Sequence, residues 1–199
     1  MGISGKPELL VHEDRVKERN VALIKRFTGG GTVVVDRDTI FTGLIMNVDA
    51  VEGLTPYPRP IMRWTEHLFD PVFRRYGDFA LREHDYVFDD VKFGGNAQAI
   101  TKGRFVHHTS FLWDFSPDRM ALLKHPAKAP EYRRGRDHTA FITPLKDRLA
   151  SRADLLDQLS TVLEGAGYWV QETRLEEAEA ALGDNKIVGT KLLLPGDYA

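Results

Sequence analysis

Residues Lys25–Asp36, KRFTGGGTVVVD, set three consecutive glycines between an arginine and a β-branched run. Glycine loses more conformational freedom on folding than any other residue. A run of three is therefore retained where φ must be positive or where the backbone must approach another object closely. The stretch alone supports two readings. One is a turn between Arg26 and a strand at Val33–Val35; the other is a backbone wall on which a ligand lies flat, with Arg26 as a cation at its rim. It is not a phosphate-cradling P-loop, because no Gly-Lys-Ser/Thr and no helical pattern follow.

A second such stretch is HDYVFDDVKFGGNAQAITKGRFVHH, His84–His108. Lys92 stands just before Gly94-Gly95, and a lysine is a compact point charge suited to phosphate or carboxylate oxygens. In isolation it reads as a solvent-facing lysine on an edge strand. Asn96, Gln98, Thr101, Lys102 and Arg104 then gather polar groups around it. His107-His108 open an apolar strand; adjacent strand residues face opposite sides, so at most one of the pair enters a shared site, which argues against a metal centre built from both. A third stretch, EYRRGRDH at Glu131–His138, reads as a loop that docks an acidic partner or a phosphate. With no aromatic platform around its arginines, an RNA contact is disfavoured.

The 199 residues carry 27 Lys plus Arg against 29 Asp plus Glu, a net charge of −2, so no global basic field drives nucleic-acid binding. Cysteine is absent, which closes disulfide, thiolate-metal and cysteine-nucleophile chemistry. The sequence has no apolar run of the roughly 18–20 residues that span a bilayer, and a soluble cytoplasmic protein without a membrane partner is the expectation. Length predicts a single domain over 1–199.

The elements that would position these residues form an α+β pattern, a mixed β-sheet with packed helices. Strands are expected at Asn20–Arg26, Asp38–Val48, His84–Phe88, Val91–Phe93 and Arg104–Asp114. LTPYPRP, Leu54–Pro60, reads as an extended connector before a helix marked by Ile61, Trp64, Leu68, Val72, Phe73 and Tyr76, with a kink or a new start at Asp70-Pro71. Further helices are expected at Ser116–Leu123, at Ser151–Leu163 with Leu155, Leu156, Leu159 and Val162 on one face, and at Arg174–Leu182. YWVQ, after Gly167, reads as a short strand, and Asn185–Ala199 as one more strand plus a tail.

Taken in order, these stretches resemble the lipoate–protein ligase A family of the biotin/lipoate ligase superfamily. The family's Arg-x-x-Gly-Gly-Gly turn before a strand ending in Asp is matched by Arg26, Gly29, Gly30, Gly31 and Asp36. Its Asn-Asp pair reads His84-Asp85, its Lys-x-x-Gly-x-Ala motif Lys92-Phe93-Gly94-Gly95-Asn96-Ala97, and its Thr-Lys-x-Arg-x-x-His-His segment Thr101 to His108. Thr109 replaces the glycine usual after the histidine pair, and HTAFITPL stands where the family has Arg-Val-x-x-Leu.

The resemblance implies a fold related to biotin ligases and class II aminoacyl-tRNA synthetases. It implies ATP-dependent activation of lipoate or octanoate to an acyl-adenylate and transfer to a lysine of a lipoyl domain, in a 2-oxoacid dehydrogenase E2 or the glycine-cleavage H protein. Lys92 would be the catalytic cation. Arg26, Gly29, Gly30, Gly31, Thr32, Val33, Val34 and Asp85 would hold ATP and the adenylate. Gly94, Asn96, Ala97 and His107 would line the acyl site, and Asp85 would bind Mg²⁺ or order the phosphate end. The chain aligns as if lacking the family's usual amino-terminal segment and its C-terminal accessory domain, so an accessory polypeptide is a further expected partner. A mitochondrial or plastid matrix location follows if a targeting segment has been lost. The competing reading is a non-catalytic remnant that binds acyl ligand or a lipoyl domain.

Overall fold

The computed structural model describes residues 1–126, 129–183, 189–194 and 196–197. The remainder of the Asn185–Ala199 segment lies outside the described residues. In chain order the elements are α1 (Pro7–Leu10), α2 (Glu13–Glu18), β1 (Leu23–Lys25), β2 (Thr39–Asn47), α3 (Pro58–Phe73), β3 (Phe79–Arg82), β4 (Asp85–Phe88), β5 (Val91–Thr101) and β6 (Arg104–Leu112). Then come α4 (Pro117–Met120), α5 (His138–Phe141), α6 (Arg152–Gly165), α7 (Leu175–Leu182) and β7 (Lys191–Leu193). β1 and β7 pair as a two-stranded sheet, and five strands form a second sheet in the order β2-β6-β5-β4-β3. The fold is α+β. Every ladder of the five-stranded sheet is antiparallel, because tight turns join β3 to β4, β4 to β5 and β5 to β6. A parallel bridge, Lys92 with Ile142, adds the mixed element.

One face of this sheet carries the core. Tyr86, Phe88, Phe93 and Phe111 point from it toward Phe69 and Phe73 of α3, with ring centroids 4.3 Å apart for Phe88–Phe93 and 4.9 Å for Phe73–Phe93. Aromatic pairs at such spacing add about 0.5–1.5 kcal/mol each beyond the area they bury. Leu155 and Leu159 of α6 pack on the same cluster, while Leu156 turns to solvent.

Several expectations are corrected here. The extended connector ends at Tyr57, because Pro58 occupies the first turn of α3, where a missing N–H would have no helical partner. Asp70-Pro71 does not restart the helix: α3 runs unbroken from Pro58 to Phe73, with Pro71 exposed in its last turn. β5 continues through Gly94-Gly95 to Thr101, paired with β4 as far as Gly95 and with β6 from Gly94 to Thr101. β3 has no counterpart in the sequence reading. Val33–Val35 and the YWVQ segment are irregular, and Trp169 is 84% exposed; β propensity without a neighbouring strand makes no ladder.

A polar network ties α3 to the centre of the sheet, on the core face. His107 Nδ1 takes the Gln98 amide at 2.9 Å, so its proton sits on Nε2, 3.3 Å from Thr65 Oγ1 and 3.4 Å from Thr109 Oγ1. The Tyr86 hydroxyl donates to Thr65 Oγ1 at 2.6 Å, Thr65 donates onward to the Met62 carbonyl, and Thr109 donates to Asn96 Oδ1 at 2.6 Å. Burial, helped by the neighbouring His108, lowers the His107 pKa to about 4. The ring is neutral when folded and titrates near 6.5 when unfolded. The unfolded chain therefore binds the extra proton between about pH 6.5 and 4, and stability falls as pH drops through that window, by on the order of 3 kcal/mol from this group. Thermal midpoints measured from pH 7 to 4 should decline in the native chain and decline less steeply in His107→Gln.

Candidate functional site

The opposite face of the sheet is built by one extra residue. β4 and β5 pair Asp85 with Gly95 and Tyr86 with Gly94, and then the register jumps so that Val87 meets Lys92 and Phe93 is left over. On a regular strand, residues three apart face opposite ways. The bulge brings Lys92 to the same face as Asp85, Val87 and Gly95 while Phe93 stays in the core.

On that face Lys92 Nζ lies 2.7 Å from Asp85 Oδ1. The ammonium crosses directly over Gly95, where a Cβ would come within 3.0 Å of it; this glycine makes room for the lysine. Asp85 Oδ2 accepts the Tyr132 hydroxyl at 2.7 Å. Burial and the adjacent Asp85 push the Tyr132 phenol far above its ordinary range, so it stays a donor. Ser110, opposite Gly95 on β6, completes the polar end of the face.

Beyond Gly95 the face becomes apolar. Ala97, Ala99, Val106 and His108 floor it, and Phe41 and Ile45 of the edge strand β2 extend it, 51% and 80% exposed. The Phe41 ring stacks on His108 at 6.2 Å. The result is an open, small-residue trough with a cation at one end.

The triple-glycine loop borders this trough. Past Gly95 the β4 side of β5 is unpaired, and Gly29 N–H reaches the Gln98 carbonyl there at 3.4 Å. Arg26 is turned inward rather than lying free at a rim: its Nε donates to Thr28 Oγ1 at 2.8 Å and its Nη2 to the carbonyls of Gly29 and Gly31 at 3.0 and 2.9 Å. Gly30 takes φ +105°, and a Cβ on it would stand 2.9 Å from the Arg26 guanidinium. Gly2 packs on the Gly30 carbonyl, which a Cβ at position 2 would meet at 2.3 Å. At the far end Arg119 holds Asp36 at 2.6 Å. A Cβ at Gly29 or Gly31, by contrast, would meet nothing within 4 Å among the described residues, and neither residue has a positive φ. Thr32 Oγ1 is enclosed without a hydrogen-bond partner among the described residues.

The 131–137 loop closes the side near Asp85. Arg136 donates to the Asp90 and Tyr132 carbonyls at 2.7 and 2.8 Å. Arg133, 3% exposed, lies over the Phe141 ring at 4.9 Å. Arg133 and Arg136 thus hold the loop itself, whereas the sequence reading had the segment docking an acidic partner or a phosphate.

The structure therefore brings together Lys92, Asp85, Ala97, Arg26 and Gly29–Gly31. It places the side chains of Asn96 and His107 on the core face with Gly94, because β5 and β6 alternate and only the bulge changes that alternation. The sequence reading placed these three at the acyl site, and His107 belongs instead to the polar network beneath it. Thr32, Val33 and Val34 continue the loop as irregular backbone. The residues present do not fit a protein-held Mg²⁺: both Asp85 oxygens are engaged, and the described residues include no group of three or more His, Cys, Asp or Glu able to hold a metal. The sequence reading missed Tyr132 and Thr28, and it named Gly95 and His108 within the motifs without assigning them to the site. The alternation that excluded one histidine could have pointed to His108 once Lys92's face was known.

The arrangement is that of an antiparallel sheet with a lysine-bearing open face and a glycine loop at its border. The chain belongs to the lipoyl protein ligase A/B catalytic domain family, whose profile matches residues 1–166. It is 30% identical over 179 residues to the inactive lipoate–protein ligase 2 of Plasmodium falciparum, covering 73% of this chain and 47% of that protein. It is 25% identical over 167 residues to the lipoate–protein ligase LplJ of Bacillus subtilis, covering 81% and 47%. The chain thus spans about half the length of these curated relatives. Among solved structures, a lipoate–protein ligase A bound with ATP superposes with a TM-score of 0.72 at 20% identity, over 94% of this chain and 77% of that one. The bi-partite lipoate protein ligase of Thermoplasma acidophilum gives 0.70 at 22%, over 94% and 75%.

Gly30 is confined by this chain and Gly31 is not. Gly30→Ala should lower stability by about 1–2 kcal/mol through its left-handed backbone. Gly31→Ala should leave stability level or raise it by a few tenths of a kcal/mol. Thermal denaturation of the two variants decides this; equal losses would contradict the asymmetry.

Proposed function

We propose that this chain activates lipoate or octanoate with ATP and passes the acyl group to a lipoyl domain. In the first step a carboxylate oxygen attacks the α-phosphorus, the bond to the β-phosphate breaks, and pyrophosphate leaves. In the second the lysine amine of the lipoyl domain attacks the acyl carbon and AMP departs. The observation that carries this reading is Lys92 on the open face: a fixed cation at the end of an apolar trough can bridge the charge on an acyl oxygen and on the α-phosphate. The trough of Ala97, Ala99 and Val106 suits an acyl chain lying along the sheet. Gly29 and Gly31, which no contact among the described residues requires to be glycine, suit close approach of the nucleotide. The family membership supports the same chemistry.

The acceptor would be a lipoyl domain of a 2-oxoacid dehydrogenase E2 or a glycine-cleavage H protein. The likeness to a bi-partite ligase and the open face of β2 support a second polypeptide completing the acyl site. A second reading is a binding domain without turnover. It is favoured by the similarity to a relative named inactive, and by Asp85 occupying Lys92.

Lipoate-dependent ATP–pyrophosphate exchange separates the two. The chain should exchange, and Lys92→Ala should lose at least about 100-fold in rate, as when one donor to a developing oxyanion is removed. A folded chain with no exchange, even in the presence of the completing polypeptide, would support the binding domain.

A further inference from the structure

The Tyr132 ring packs on Phe141, 5.1 Å between centroids, and on Val87, contacts that a phenylalanine would make equally well. The hydroxyl does something else: it reaches Asp85 Oδ2 at 2.7 Å, while Asp85 Oδ1 holds Lys92 Nζ at 2.7 Å. A carboxylate with both oxygens held by fixed donors cannot turn about its own axis, so the direction in which Oδ1 faces is set from behind. The Lys92 side chain is 22% exposed, and on the sheet side its ammonium and Cε cross a glycine that offers no side-chain wall, so Asp85 is the charged group that fixes where the ammonium lies. Tyr132 itself is anchored through its own carbonyl, which accepts from Arg136, and through the Arg136–Asp90 contacts that clamp its loop to the β4–β5 turn.

We propose that Tyr132 is a positioning residue for Lys92, acting through Asp85. The chain of contacts runs from a clamped loop to a phenol, to a carboxylate, to the ammonium on the open face. Removing the hydroxyl frees Asp85 to rotate and lets the Lys92 ammonium wander over Gly95. The consequence for adenylation rests on the function proposed above; the consequence for Lys92 itself does not.

Two readouts keep these apart. Amine acetylation by acetic anhydride at fixed pH, followed peptide by peptide by mass spectrometry, reports how tightly Lys92 is held. Tyr132→Phe should acetylate Lys92 about three- to fivefold faster than the native chain, the range expected for loosening one partly exposed ion pair. The change should move toward the rate in Asp85→Asn, with the other lysines unchanged. In lipoate-dependent ATP–pyrophosphate exchange, Tyr132→Phe should lower kcat by about tenfold while KM for ATP moves less than about twofold, the pattern of a lost transition-state contact. Lys92 labelling equal to that of the native chain would overturn the proposal whatever the activity, since Tyr132 would then only pack. Faster labelling with undiminished exchange would overturn its catalytic consequence. Faster labelling in a chain whose native form shows no exchange would support the positioning and count against adenylation.

Discussion

One surplus residue in β5 divides this molecule into a core side and a working side. Phe93 has no partner on β4, and that single break in register turns Lys92 out to the open face while Phe93 stays in the aromatic cluster. A strand without the bulge would bury either the lysine or the open-face residues beyond it, because alternation allows no third choice. The rest of the site follows from where the lysine then lies. Gly95 makes room for it, Asp85 meets it and Tyr132 backs the aspartate.

The glycine loop shows a second use of constraint. Three glycines would be loose backbone if nothing held them, yet the Arg26 guanidinium sits inside the loop as a brace, bonded to two of its carbonyls and to Thr28. Burial lowers the Arg26 pKa without removing the charge, since a guanidinium stays protonated throughout the working range. The brace demands a glycine at position 30 only. A charge that would be expected to touch a ligand directly instead shapes the backbone that borders the trough.

The two faces differ in how their polar groups are satisfied. On the core face the Thr65, Tyr86, His107 and Thr109 side chains bond to one another and to backbone, so the network stiffens the joint between α3 and the sheet. On the working face Lys92, Asp85, Tyr132 and Ser110 are bonded at one end, and the apolar floor beyond them is open, as Phe41 and Ile45 show. Exposed apolar surface on an edge strand is a binding surface or a liability, and here it is continuous with the lysine.

By itself the sequence determined the α+β class, the helix carrying Ile61, Trp64, Leu68, Val72 and Phe73 from its apolar spacing, a helix opening at Ser116, and the ordered motifs around Arg26, Lys92 and His107-His108 that mark the family. These are local signals, read from side-chain types a few residues apart. It could not determine which face each motif serves. Lys92 and Gly95 share a face through a bulge that depends on pairing with β4, and no spacing within β5 announces it. Tyr132 meets Asp85 across 47 residues of sequence, and Arg26 turns inward because its loop lies along the unpaired edge of β5. Periodicity within a segment fixes alternation, but register and partner are set by the neighbouring strand. For that reason the tertiary structure moved Asn96 and His107 into the core network and left Lys92, Asp85 and Ala97 on the working face.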